Sequence, residues 1–390
     1  MIMLSQQQRI FFEFLRFCIG TVQEVPSSLK GADWRVLYAM ARKQCLVGVL
    51  FDGIKRLPAD VGMDKGLLFQ WMAQNQTLRK ANARLDKAAV EVAEWFGRKG
   101  FRTCVLKGQG NALLYPPGME RTPGDIDLWV DGGDRKVVSF VRSLSPDEKV
   151  CYHHIGFPEY NGVEVEVHFR PSFLFCFRHN RRLQGYYERV MDGQFAHRVK
   201  LGEQGDVAVP KAEFNLIFQL THIFTHLMNE GIGLRQLLDY FFLLKNTDLG
   251  GNTDGDGFLL NTDFTDYTDR IGGNADGVDR RLLQDELRRL GLWEFAGAVM
   301  YIMKEVFGLE DNRLIVPPDV KRGRLVLKEV LEAGNFGQYD KRNWFGHSAL
   351  GHNLQRLYRD MRLVRYFPEE ALSEPFFRIW HFFWRKRIVR

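Results

Sequence analysis

No run among the 390 residues reaches the ~20 consecutive apolar positions that a membrane-spanning helix requires. The N-terminus, Met1-Ile2-Met3-Leu4-Ser5-Gln6, lacks a basic region followed by an apolar core and a small-residue cleavage site, so no export signal is expected. Cysteine is scarce. The five present (Cys18, Cys45, Cys104, Cys151, Cys176) are scattered, odd in number and without a C-x-x-C spacing, which argues against a disulfide framework and for reduced thiols in a cytoplasmic protein. No internal repeat is found. Charge of either sign is also limited: the net +6 is modest for this length and does not by itself argue for nucleic acid, although it suits a polyphosphate substrate.

What is present is ordinary for a soluble globular chain, with 45% apolar and 26% charged residues. The length suggests two domains, or one domain with a large helical extension. From Ser5 to about Gly100 the apolar spacing predicts helices, the longest over Leu67 to Lys99 with Gly100 as its stop. A strand follows at Thr103 to Leu106, then a short helical piece from Asn111 to Leu114 halted by Tyr115-Pro116-Pro117-Gly118. Strands are expected around Asp125, at Val150 to Ile155 and at Val163 to His168, with a helix over Arg135 to Leu144 and a turn containing Pro158 and Asn161-Gly162. Together they describe a small mixed sheet with helices on one face. Residues 181 to 210 read as irregular, with a strand at Val207 to Val209. Glu213 to Leu227 and Leu234 to Leu244 read as apolar helices.

Asn246 to Gly277, rich in Asn, Asp, Thr and Gly, reads as a solvated insertion. Its Asn252-Thr253-Asp254-Gly255-Asp256-Gly257 begins like an EF-hand loop, but Asp263 at the twelfth position is too short for the usual bidentate ligand and Leu260 replaces an oxygen donor. Beyond it the chain is helical, with breaks expected at Pro368 and Pro375. The last fifteen residues mix Arg378, Arg385, Lys386 and Arg387 with Phe376, Phe377, Trp380 and Trp384, a pattern open to membrane-surface or nucleic-acid contact. Packing of these aromatics on the chain's own core is the simpler expectation.

The chemistry concentrates between residues 105 and 168. Asp125 and Asp127 share one face of a strand, and Val163-Glu164-Val165-Glu166-Val167-His168 alternates without a slip, placing Glu164, Glu166 and His168 on one face and three valines on the other. Buried like charges are costly unless a cation sits between them, and carboxylates from two neighbouring strands suit Mg²⁺ with a substrate phosphate. Lys107 and Gly108 are placed to meet phosphate, by charge and by backbone amides. Arg121 is open between phosphate and the acids. His222 and His226 share a helix face and are expected to form a hydrogen-bonded pair; Arg235 and Asp239, also four apart, read as an intrahelical ion pair.

Leu106-Lys107-Gly108, Arg121, Asp125-Ile126-Asp127 and Glu166-Val167-His168 resemble the uncharacterised nucleotidyltransferases of the DNA polymerase beta superfamily, and the likeness continues through His222, His226, Gly233-Leu234-Arg235 and Asp239. Two departures stand out: the third acid, more often Asp, is here Glu166, and the usual Gly-Ser phosphate turn is represented only by Lys107-Gly108. The resemblance implies an α+β fold, with a helical region over 1–100, a polymerase-beta-like palm over 101–210 and a helical region over 211–390 that carries the 246–277 insertion. It implies transfer of a nucleotidyl group from an NTP to an acceptor hydroxyl on a small molecule, a protein or RNA. Asp125, Asp127 and Glu166 would be catalytic and would hold Mg²⁺ or Mn²⁺; Lys107, Gly108, Arg121, His168 and Arg235 would bind the nucleotide. Two alternatives stand beside it: a catalytically silent nucleotide- or partner-binding module on the same fold, and a D-x-D glycosyltransferase, which normally places an α/β nucleotide-binding half before the motif.

Overall fold

A computed structural model describes residues 4–58, 62–250, 277–342, 345 and 349–389. The chain enters through helices, three of them begun by a side-chain cap. Ser5 forms a capping box with Gln8 at the start of α1 (Gln6–Cys18), Asp33 caps α2 (Trp34–Lys43), α3 spans Val47–Ile54, and Asp64 caps α4 (Lys65–Arg98). Gly100, at φ +82, lets the chain leave α4 and run into β1 (Thr103–Val105). The described segment before β1 is thus helical, without the α/β half that a glycosyltransferase reading needs.

Then follow α5 (Gln109–Ala112), β2 (Ile126–Val130), α6 (Gly133–Leu144), β3 (His154–Tyr160), β4 (Val163–His168), α7 (Phe177–Ala196), β5 (Arg198–Leu201) and β6 (Gly205–Ala208). Helices α8 (Ala212–Asn229), α9 (Leu234–Asn246), α10 (Arg280–Arg289), α11 (Trp293–Glu305), α12 (Val320–Ala333), α13 (Ala349–Leu363) and α14 (Pro368–Ile388) complete an α+β architecture. The main sheet has the order β1-β2-β4-β3; β2 and β4 run parallel, and the outer pairs are antiparallel.

Alternation divides the sheet into two unlike faces. Ile126, Leu128, Val130, Val165 and Val167 join Leu85, Ala89, Val92 and Phe96 of α4 and Val137, Val138 and Val141 of α6 in one apolar cluster. The opposite face carries Asp127, Glu166 and His168. Near its end Trp129 packs on Phe195 of α7 and Phe214 of α8, with ring centroids 4.7 and 5.7 Å apart. The carboxylates are therefore held on a rigid sheet and roofed by the later helices.

Several expectations are corrected. The strand read over Val150 to Ile155 begins instead at His154; Val150 contributes a single bridge to Ile155. Pro158 lies inside β3 rather than in the turn. It is tolerated because β3 is an edge strand whose register shifts between Phe157 and Tyr160, where a missing N–H interrupts no ladder. The turn itself is Asn161-Gly162, both at positive φ as a tight hairpin demands. Residues 181 to 210 are not irregular: a 20-residue helix buries Leu183, Tyr186, Tyr187 and Phe195, and the hairpin β5–β6 follows. The arginines that crowd its first turns (Arg178, Arg181, Arg182) and the polar residues beyond mask the helical period.

The expected break at Pro368 is found, with α13 ending at Leu363 and Pro368 opening α14, whereas Pro375 makes no break and sits within that helix. The terminal aromatics divide: Phe377 is buried and Trp384 is half-buried beside Tyr152, Phe169 and Arg170, whereas Phe376 and Phe383 are exposed. Of the insertion, residues 251–276, with the calcium-loop likeness, lie outside the described residues. Its flanks meet where Val278 N–H donates to the Asp248 carbonyl at 2.8 Å.

Candidate functional site

The parallel pairing of β2 with β4 sets Asp127 level with Glu166. Asp127 is 2% exposed. One oxygen, Oδ1, accepts from Lys107 Nζ at 2.9 Å and lies 2.9 Å from His168 Nε2; the other, Oδ2, has no hydrogen-bond partner among the described residues. Burial would raise the Asp127 pKa, but the Lys107 charge and the His168 hydrogen bond outweigh it and hold the carboxylate ionised below its usual range. The same contacts act in reverse on the partners. Burial alone would lower both Lys107 and His168; Asp127 together with Asp125 and Glu166 raises the lysine, and hydrogen bonds to Asp127 and Glu166 push His168 up to about 9.

Glu166 is half-buried, with Oε2 3.5 Å from His168 Nε2 and 3.4 Å from His154 Nδ1. Burial opposes its ionisation, yet the His168 hydrogen bond and the neighbouring His154 bring its pKa down to about 2. Asp125 lies one residue before the paired part of β2, half-buried at the rim, and Glu164 is exposed one step from it along β4. Burial and the Asp125 charge raise the Glu164 pKa.

Lys107 leaves the end of β1 and reaches across to α8, where its Nζ lies 3.3 Å from His222 Nε2. An ammonium only donates, so His222 accepts there and carries its proton on Nδ1. Burial and the Lys107 charge keep His222 neutral, with a pKa well below the usual imidazole value. His222 and His226 meet edge to face, with centroids 4.2 Å apart; the expected hydrogen-bonded pair is replaced by one bond from Lys107 to His222 and one between His226 and Glu230. Gly108 takes φ +57 at the start of α5 beneath the Asp125 carbonyl, a turn that a side chain would strain.

Arg121 does not face Asp125 or Asp127. Its guanidinium is buried and forks onto Asp239 of α9, with Nε to Oδ1 at 2.8 Å and Nη2 to Oδ2 at 2.7 Å, while Tyr115 Oη donates to the same Oδ1 at 2.7 Å. Asp239 is therefore held by Arg121 rather than in the intrahelical pair read from its spacing with Arg235. Arg235 instead donates to the carbonyls of Thr122 and Pro123 at 3.1 and 3.3 Å and stacks over Phe336, leaving Nε without a partner among the described residues.

These groups line one cleft of about 1070 Å³. Its sheet wall is acidic (Asp125, Asp127, Glu164, Glu166). Its helical wall is basic: Arg235, Arg356, Arg359 and Arg378 all border it. Nothing in the sequence marks Arg356 and Arg359, and its pattern sets Arg378 among the tail residues open to membrane-surface or nucleic-acid contact rather than at this cleft; His153 and His154 were also missed, though their adjacency before a strand was an available signal. Asp127, Glu166 and His168 each offer a donor atom within 4.8 Å of the others. The orphaned Asp127 Oδ2 and the carboxylate pair fit a hard divalent cation. Asp125 stands outside that group of three.

A family model described as "Uncharacterised nucleotidyltransferase" matches residues 30–259. Among curated proteins none matches the chain. One similar solved structure is that of an antigenic nucleotidyltransferase-like protein from Paracoccidioides brasiliensis, with 16% sequence identity over 42% of this chain and 76% of that one and a TM-score of 0.27.

Proposed function

The chain belongs to the uncharacterised nucleotidyltransferase family, and from that premise we propose that it transfers a nucleotidyl group from an NTP to an acceptor hydroxyl. The observation that carries the reading is the buried Asp127 set level with Glu166 on the acidic wall of a cleft whose far wall is arginine-rich. Acids on one side and arginines on the other suit a triphosphate, which needs both cation ligands and direct positive charge.

In this reading the acceptor oxygen bonds to the α-phosphorus, the bond from that phosphorus to the pyrophosphate oxygen breaks, and the hydroxyl proton leaves to water. Mg²⁺ or Mn²⁺, held by Asp127 and Glu166 with Asp125 at the rim, supplies Lewis-acid stabilisation of the phosphates. Lys107, already beside the acids, adds a fixed positive charge at the same place. Arg235, with an unused Nε, offers a donor from the other wall. His168 orients Asp127, and the low pKa of Glu166 suits it to binding a cation better than to taking a proton.

The test is incubation of the full chain with NTP labelled at the α-phosphate and Mg²⁺ or Mn²⁺, reading label transfer to lysate components together with pyrophosphate release. Transfer that disappears in Asp127→Asn is expected; nucleotide binding without any transfer would favour a second reading. In that reading the chain is a silent nucleotide- or partner-binding module, and it draws on the fact that Lys107 and His168 already neutralise Asp127.

A further inference from the structure

His153 and His154 have no part in the transfer reading, yet they stand against it. His154 opens β3 directly opposite His168 in the register of β3 with β4. Its Nδ1 lies 3.1 Å from His153 Nε2 and 3.4 Å from Glu166 Oε2, and that carboxylate oxygen lies 3.5 Å from His168 Nε2. The three imidazoles each present a nitrogen within 4.8 Å of the others.

Those separations have a physical meaning. Four ligands placed tetrahedrally at bond lengths of ~2.0–2.1 Å are about 3.3 Å from one another. The His153–His154 separation of 3.1 Å is close to one edge of that tetrahedron, and the nitrogens of His153, His154 and His168 group closely enough to form its three-nitrogen face. Two further buried nitrogens of the cluster, His153 Nδ1 and His168 Nδ1, have no hydrogen-bond partner among the described residues, so the network leaves part of its donor capacity unused. His168 Nε2 now lies 2.9 Å from Asp127 Oδ1 and would give up its proton on ligating a metal.

We propose that His153, His154 and His168 form a binding site for a borderline transition-metal ion of the Zn²⁺ or Co²⁺ class, adjacent to the carboxylate site and sharing His168 with it. Imidazole nitrogen is a good ligand for these ions and a poor one for Mg²⁺, which prefers oxygen and keeps its waters. The site is built on the edge strand β3 and its neighbour β4, so the sheet fixes two of the three donors, and His153 follows from the chain's entry into β3. It stands whether or not the cleft catalyses transfer.

The experiment uses the full chain, stripped with chelator and then titrated with Zn²⁺, Co²⁺ or Mg²⁺ alone, without nucleotide. One Zn²⁺ per chain is expected, and the Co²⁺ form should show the intense visible d–d absorption of a tetrahedral site. His153→Ala with His154→Ala should weaken Zn²⁺ by more than ~100-fold, because even removing a residue that only orients a ligand costs ~10–100-fold. Asp125→Asn should leave Zn²⁺ affinity unchanged. Failure of wild type to bind stoichiometric Zn²⁺, or an octahedral, weakly absorbing Co²⁺ spectrum, overturns the proposal without touching the transfer reading; so does Zn²⁺ affinity that survives in the double variant. The spectrum of the wild-type chain keeps the test decisive even where the double variant folds poorly.

Discussion

Arg121 and Asp239 are 118 positions apart in sequence and joined by two parallel hydrogen bonds of 2.8 and 2.7 Å, both partners buried. The pair ties the segment entering β2, which carries Asp125 and Asp127, to α9 on the far wall of the cleft. Its geometry is the planar fork that only arginine offers a carboxylate.

Breaking that pair is expected to act on stability. Asp239→Asn leaves a buried guanidinium short of its counter-charge, and removing one member of a buried pair costs about 3–5 kcal/mol. Arg121→Lys keeps the charge but loses the fork, so it should lower the urea midpoint by an intermediate amount. If Arg121→Lys instead leaves the denaturation curve unchanged while weakening ATP binding, the arginine serves phosphate and not the wall.

Asp125→Asn and Asp127→Asn are expected to differ. Asp125 is half-buried and makes no ion pair among those of the described residues, so its amide variant should melt with wild type. Asp127→Asn removes the carboxylate that balances Lys107 and His168 and should lower the unfolding free energy by roughly 3 kcal/mol. Both variants should lose Mg²⁺-ATP affinity in calorimetry; unchanged affinity in both would defeat the carboxylate clamp.

Glu166→Gln should suppress label transfer while sparing most nucleotide affinity, because Glu166 is level with Asp127 and a group that positions the acceptor side acts on the transition state. Glu164→Gln, at an exposed position, should transfer at nearly the wild-type rate. The reverse order in single-turnover measurements would move the third carboxylate to Glu164.

Asp360 of α13 gives a pH prediction away from the site. Burial and the adjacent Glu374 raise its pKa to about 8. An unfolded aspartate ionises near ~3.9, so between that pH and about 8 the unfolded chain releases a proton that the folded one keeps. The contribution of this carboxyl is most favourable below ~3.9, falls as pH rises, and is constant above about 8. Asp360→Asn should therefore gain melting temperature over wild type progressively from pH 5 to about pH 8 and no further above it. A difference that is flat across that window would contradict a shifted Asp360.

Much of the site was legible because its signals are local. The alternation Val163 to His168 put Glu164, Glu166 and His168 on one face wherever the strand went. Asn161-Gly162 fixed the hairpin through residues that accept positive φ, and Gly100 ended the long helix for the same reason. Period and turn chemistry depend on a residue and its near neighbours, so they survive without knowledge of the fold. The arginine-dense α7 escaped because burial, not local propensity, decides its apolar face.

Partners belong to the tertiary structure. Whether Asp127 would stand level with Glu166 or with Glu164 depended on the register of two parallel strands, which the sequence of neither states. Arg121 chose Asp239 over the closer Asp125, and Asp239 chose Arg121 over Arg235 on its own helix, because the packing of α9 against the β2 entry buried those two together and a buried charge takes the partner that gives the best fork. His153 and His154 came to His168 through strand pairing across a hairpin. The sequence by itself determined which groups could do chemistry; the long-range packing of sheet against helices decided which of them meet, because distance in space is set by contacts that no local window contains.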